Sequence, residues 1–134
     1  MSVSLAVLDS YAVLAYLQKE PGSSKIVELF KKVQKKEAAL FLSLINWGEV
    51  YYNVARTSGA KTAEEALLLI HELPIDVVDI DRETVYLAAQ LKSLYPIAYA
   101  DCFAAALAKQ KRCPLWTGDP EFKRLHNEIE IHWM

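Results

Sequence analysis

Apolar positions follow two alternating rhythms along the chain. Ser4-Leu5-Ala6-Val7-Leu8 is a nearly continuous apolar run, the pattern of a strand buried on both faces. Over residues 11–18 the spacing becomes helical, with Val13, Leu14 and Leu17 on one side, and it stops at Pro21-Gly22. Ser23-Ser24 can cap a second helix carrying Ile26, Val27, Leu29, Phe30 and Val33, which runs out in a lysine-rich turn. Residues 39–44 read as the second strand, 45–57 as a helix closed by Ser58-Gly59, and 61–72 as a helix ending before Pro74. Between Ile75 and Ile80 apolar and acidic residues alternate, which predicts a strand nearer the sheet edge. Helical spacing returns over 82–94, is broken at Pro96 and resumes over 97–109. Residues 114–117 form a short strand, 121–125 a helical turn and 129–133 a last strand.

Strands separated by helices predict an α/β fold, with a mostly parallel central sheet and helices on both faces. No linker, repeat or low-complexity tract interrupts the pattern, so residues 1–134 are expected to form a single domain. The 53% hydrophobic and 24% charged composition excludes a disordered or fibrous chain. No apolar run approaches the roughly 20 residues that cross a bilayer. The first strand lacks the basic start and small-residue cleavage site of a signal peptide, so no membrane association and a cytoplasmic location are expected. Cys102 and Cys113 lie eleven residues apart with no neighbouring His, which is not zinc spacing. Both are expected to be free thiols, Cys102 buried in its alanine-rich segment.

Four separated carboxylates carry the candidate chemistry. Asp9 directly follows the first strand. It can cap the next helix, or it can mark a ligand site, since open parallel sheets bind ligands beyond the carboxyl ends of their strands. Asp119, in Thr117-Gly118-Asp119-Pro120, carries the same two readings, because Asp before Pro is a helix-start signature. Glu49 shares a helix side with Asn46, Asn53 and Arg56, either an ordinary solvated face or a polar row bordering a cleft. Asp101 is different: its helical neighbours are Ala98, Ala104, Ala105 and Ala108. A charge on so small and apolar a face costs several kcal/mol if buried alone. Exposure at a helix start, a basic partner or a metal ion would each resolve it.

Taken together, four acids at strand–helix junctions suit a hard divalent cation, which takes oxygen ligands and relieves the repulsion among them. Metal ions on such a cluster activate water and neutralise charge during phosphodiester hydrolysis. The net charge of −2 does not oppose this, because setting the four acids aside leaves a small basic excess.

Four segments resemble the PIN-domain family, in particular the VapC-like toxins of toxin–antitoxin pairs. They are Val7-Leu8-Asp9-Ser10, Ser43-Leu44-Ile45-Asn46-Trp47-Gly48-Glu49-Val50, the stretch from Tyr99-Ala100-Asp101 through Ala108, and Leu115-Trp116-Thr117-Gly118-Asp119. The resemblance covers nearly the whole chain; the order of the four is specific where no single one is. It implies an endoribonuclease dependent on Mg²⁺ or Mn²⁺ that leaves a 5′-phosphate and a 3′-hydroxyl. By position, Asp9 and Asp101 would be the most direct metal ligands. Glu49 and Asp119 would act through water, orient the nucleophile or hold a second ion, and Thr117 would be the hydroxyl beside the last acid. Asn46 would brace Glu49, and Ser10 and Arg56 would support the site or face substrate. Cys102 and Trp116 depart from the residues usual at their positions, without touching the acids. Homodimerisation and an antitoxin that blocks the acidic cleft are further implications. Tyr11, Tyr16, Tyr51, Tyr52 and Leu67-Leu68-Leu69 could supply such a surface or pack in the core.

His71, His126 and His132 lack ligand spacing, no serine sits in a nucleophile elbow, and the scattered glycines form no phosphate loop. The paired lysines at 31–32 and 35–36 read as a solvated face. The competing function is a catalytically silent PIN-like module that binds RNA or protein. A phosphotransfer fold fits less well: Tyr11 stands where a haloacid-type phosphatase has its second Asp, and the acidic pair and late Lys of a receiver cannot be placed.

Overall fold

The computed structural model describes residues 3–134. In chain order the elements are β1 (Ser4–Leu8), α1 (Ser10–Leu17), α2 (Ser23–Gln34), β2 (Ala38–Ser43), α3 (Leu44–Ser58) and α4 (Ala60–Glu72). They continue with β3 (Asp76–Val78), α5 (Arg82–Leu94), α6 (Tyr99–Lys111), β4 (Leu115–Thr117), a short 3-10 helix (Pro120–Leu125) and β5 (Ile131–Trp133). The strands form a five-stranded sheet in the order β3-β2-β1-β4-β5, and every neighbouring pair is parallel.

Strand alternation sends side chains to two cores. Val7 and Leu115 join Ala88, Leu91, Phe103, Leu107 and Phe122 from α5, α6 and the 3-10 helix. Ala6, Leu8, Leu40 and Leu42 join Val13, Ile26, Phe30, Val50, Val54 and Ile70 from α1 to α4. Each fully buried Leu, Val or Phe contributes about 1.5–3 kcal/mol, so both faces need their helices. The α/β architecture follows from this double burial, and no helix among the described residues is long and apolar enough to cross a membrane.

The ends of three elements differ from the sequence pattern by two residues, each for a local reason, and several others by one. The strand expected over 75–80 pairs only as β3, at the sheet edge. The chain then leaves to let Asp81 cap α5, accepting from the Thr84 amide at 2.8 Å and the Thr84 hydroxyl at 2.7 Å. Ile129 does not extend β5, because its amide bonds the Leu125 carbonyl at 3.2 Å in a turn that buries its side chain. Ile97 packs into the core ahead of α6 rather than starting it. Both cysteines are free. Of the tyrosines and leucines that could be core or surface, Tyr16, Tyr51 and Leu67 pack against the core, whereas Tyr11, Tyr52, Leu68 and Leu69 are exposed.

Strand order also creates a crevice. From β1 the chain builds outward to β2 and β3, then returns to the other side of β1 for β4 and β5. The carboxyl ends of β1 and β4 therefore meet at a topological switch point, where such sheets bind ligands. Leu8 pairs with Trp116 there, and the next residues are Asp9 and Thr117.

Candidate active site

Asp9 is both a helix cap and a member of the crevice. Its Oδ1 accepts the Ala12 amide at 2.8 Å, while the Thr117 hydroxyl donates to Oδ2. Thr117, the wholly buried last residue of β4, also accepts the Asp119 amide at 3.0 Å. Asp119 in turn caps the 3-10 helix through the Glu121 amide at 3.0 Å. One hydroxyl thus ties together the two acids at the switch point. The capping and site readings of Asp9 and Asp119 are compatible: the cap leaves Asp119 one oxygen free, and each Asp9 oxygen keeps acceptor capacity beyond its single hydrogen bond.

Burial pushes the Asp9 carboxyl up to about 7, against the opposing hydrogen bonds from Thr117 and Ala12, with the Asp101 and Asp119 charges adding to the rise. Asp101 lies in the first turn of α6 and is partly exposed. Burial raises it to about 7 as well, reinforced by Asp119, Glu49 and Glu121. No hydrogen-bond donor or cation engages its carboxylate among the described residues. Of the alternatives that could resolve a charge among these alanines, the basic partner is absent and the helix start is present.

Glu49 is held from both sides. Asn46, fully buried on α3, donates Nδ2 to Glu49 Oε1 at 2.7 Å and to the Ala100 carbonyl at 3.2 Å. That amide fastens Glu49 to the residue preceding Asp101. The Tyr52 hydroxyl donates to Oε2 at 3.3 Å, and Arg56 lies over the Tyr52 ring, 4.9 Å from its centre. Asn53 bonds the Glu49 carbonyl at 2.9 Å and not its side chain. Ser10 opens α1 directly after Asp9 and is half-buried.

The structure places Asp9 in the fields of Asp101 and Asp119 and Asp101 in those of Asp119 and Glu49, and Thr117 and Asn46 hydrogen-bond members of the set. Among the described residues, no three Asp, Glu, His or Cys side chains stand close enough together to hold a metal ion as they are placed. The donor set is nonetheless oxygen only, and two of its carboxylates are raised, chiefly by burial and further by the neighbouring acids. This chemistry fits a hard divalent ion that keeps several waters, as Mg²⁺ does.

Three participants carried weaker signals in the sequence. Glu121, a further source of negative field on Asp101, stands only two residues after Asp119. Tyr52 lies one helical turn after Glu49. Gly118 packs its α-carbon against Tyr11, such that an added Cβ would fall 2.3 Å from Cε1 of that ring; a glycine between Thr117 and Asp119 was its only mark.

The PIN domain family model matches residues 6–128. No curated protein sequence matches the chain. Similar solved structures include VapBC2 from Rickettsia felis, bound to a DNA fragment from their promoter, with 19% identity and TM-score 0.76 over 96% of this chain and 98% of that one. VapBC-5 from Mycobacterium tuberculosis, of the VapBC family of toxin–antitoxin systems, has 16% identity and TM-score 0.64 over 98% of each chain. VapC20 from Mycobacterium tuberculosis, a Sarcin-Ricin loop cleaving toxin, has 16% identity and TM-score 0.67 over 90% of this chain and 93% of that one. At these identities the likeness is one of fold, and the family match runs from within β1 to just short of β5 and includes all four acids: the chain belongs to the PIN-domain family.

Proposed function

We propose that this protein is a metal-dependent endoribonuclease that hydrolyses RNA phosphodiester bonds at the acid set, with Mg²⁺ or Mn²⁺ as its ion. The observation that carries the reading is Asp101. Its carboxylate has no cationic or donor partner, shares the fields of Asp119 and Glu49, and is raised to about 7. A carboxylate so placed is a liability to the fold unless something positive binds there. A divalent ion would supply an activated water and neutralise charge on the phosphoryl oxygens.

Asp9 and Asp101 are assigned to hold the ion, with Glu49 and Asp119 completing the acid set. Thr117 fixes Asp9 Oδ2 and the Asp119 backbone, so two acids keep their geometry as charge changes. Asn46 and Tyr52 fix the two oxygens of Glu49. Ser10 and Arg56 border this machinery, at the start of α1 and in the last turn of α3.

We extend the reading to biology on the neighbours. One similar structure is a member of the VapBC family of toxin–antitoxin systems and another is a Sarcin-Ricin loop cleaving toxin, which supports a toxin role here and a protein antitoxin as partner. A homodimer is proposed from the family resemblance alone. The test is cleavage of structured and single-stranded RNA with Mg²⁺, Mn²⁺ or EDTA, by wild type and Asp101→Asn. Metal-dependent cleavage, lowered by orders of magnitude in the variant, is expected. Metal-dependent cleavage undiminished in Asp101→Asn, or no cleavage by the wild type under any of these conditions, would overturn the assignment.

A further inference from the structure

Three exposed tyrosines accompany the acids in sequence: Tyr11 follows Asp9 by two residues, Tyr52 follows Glu49 by three, and Tyr99 precedes Asp101 by two. They are 46%, 43% and 43% exposed. Tyr99 is turned onto Phe103, with ring centres 4.9 Å apart, and Tyr11 lies against Gly118. Tyr52 is the one joined to the acid set directly, through its bond to Glu49 Oε2, and it lies in the fields of both Glu49 and Asp101.

Beside it stands Arg56, the only cation on α3. It is exposed, it forms no ion pair among the described residues, and it is held over the Tyr52 ring. The carboxylate on the same helix side, Glu49, is already engaged by Asn46 and Tyr52. An aromatic ring and an uncompensated guanidinium thus sit one and two helical turns from an acid of the set.

We infer that Tyr52 and Arg56 grip single-stranded RNA at the edge of the acid cleft, an unpaired base stacking on the Tyr52 ring and a neighbouring phosphate pairing with Arg56. This rests on the nuclease reading and names the two side chains that hold the strand beside the acids. Base faces inside a duplex are covered by their neighbours, so an exposed ring selects unpaired nucleotides. Stacking of this kind tolerates any base, because every base has a π-face. The cation supplies attraction where four carboxylates would otherwise repel a polyanion. Continuity with Glu49 favours RNA over a second copy of the chain as occupant.

The test uses full-length protein carrying Asp101→Asn, which limits cleavage, and labelled single-stranded oligoadenylate against an RNA duplex of equal length, read by fluorescence anisotropy. The single strand should bind more tightly. Tyr52→Leu should weaken it about tenfold, whereas Tyr52→Phe, which keeps the ring, should bind as the parent does. Arg56→Gln should lower the slope of log affinity against log salt by about 0.7. Unchanged binding in Tyr52→Leu and Arg56→Gln, or equal affinity for the duplex, overturns the inference. A change in sedimentation without a change in RNA affinity also overturns it, and assigns the patch to a second copy. If wild type cleaves RNA while these variants bind normally, only this inference fails; if wild type neither binds nor cleaves RNA, the nuclease reading fails with it.

Discussion

The Thr117 hydroxyl donates to Asp9 Oδ2, joining the end of β4 to the end of β1 across 108 residues of sequence. It also accepts the Asp119 amide, so its loss reaches two acids. Thr117→Val keeps the shape and leaves a buried carboxylate oxygen without its donor, at a cost of roughly 1–3 kcal/mol. Urea denaturation above neutral pH should show that loss, and Thr117→Ser should recover most of it. Activity should fall in the valine variant and persist in the serine one.

Asp9 and Asp101 predict an inverted pH dependence of stability. Both are raised from 3.8 to about 7 in the folded protein. Across that interval the folded state binds more protons than the unfolded one, so stability falls as pH rises. The favourable contribution is complete below the unfolded value and lost above about 7. In chelator, the melting temperature should therefore decline through this window, less steeply in Asp101→Asn, which should also melt higher near neutrality. Stability rising through the window, with no effect of the substitution, would show that the two acids are compensated.

Much of this was legible because apolar runs and helical spacing report burial directly: β1, α3, α4 and α5 follow their patterns to within a residue at each end, whereas α2 is capped by Gly22 and not by Ser23-Ser24. Element ends were less legible, because caps and turns set them; the capping of α5 by Asp81 shortened β3. Asp101 stood out because nothing near it in sequence could compensate a charge, and the structure adds only the helix start. The Thr117–Asp9 bond was invisible locally, since it depends on β4 lying beside β1. Tyr52 read more readily as core than as sticky surface, and the structure leaves it exposed; its partner oxygen is one turn away on a residue that itself looked solvated. Glu121 read only as part of a helical turn, its field on Asp101 being a matter of tertiary placement.

Asn46 offers a separate test of how Glu49 is held. Asn46→Asp exchanges the donor facing Glu49 Oε1 for a second carboxylate in a fully buried position. Like charges at this distance favour protonation of one partner. The variant should be destabilised most above neutral pH and recover on acidification, with activity lost throughout. An Asn46→Asp protein as stable and active as wild type would show that the amide does not position Glu49.

Gly118→Ala should act through Tyr11 alone, because the added Cβ collides with that ring and the backbone there is unstrained. The ring is half exposed and can swing outward, so the change in melting temperature should be small. A double-mutant cycle checks the cause: in a Tyr11→Ala background the effect of Gly118→Ala on stability and activity should vanish. An undiminished effect would place its origin in the Thr117–Asp119 backbone instead.

The central claim is that the four acids form a divalent-cation site, and calorimetric titration of metal-free protein with Mn²⁺ near neutral pH tests it most directly. Saturable binding is expected, accompanied by proton release, because Asp9 and Asp101 are partly protonated there and must ionise to bind. Asp101→Asn should weaken the binding and reduce the proton release. No saturable binding, or identical titrations for wild type and Asp101→Asn, would contradict the claim.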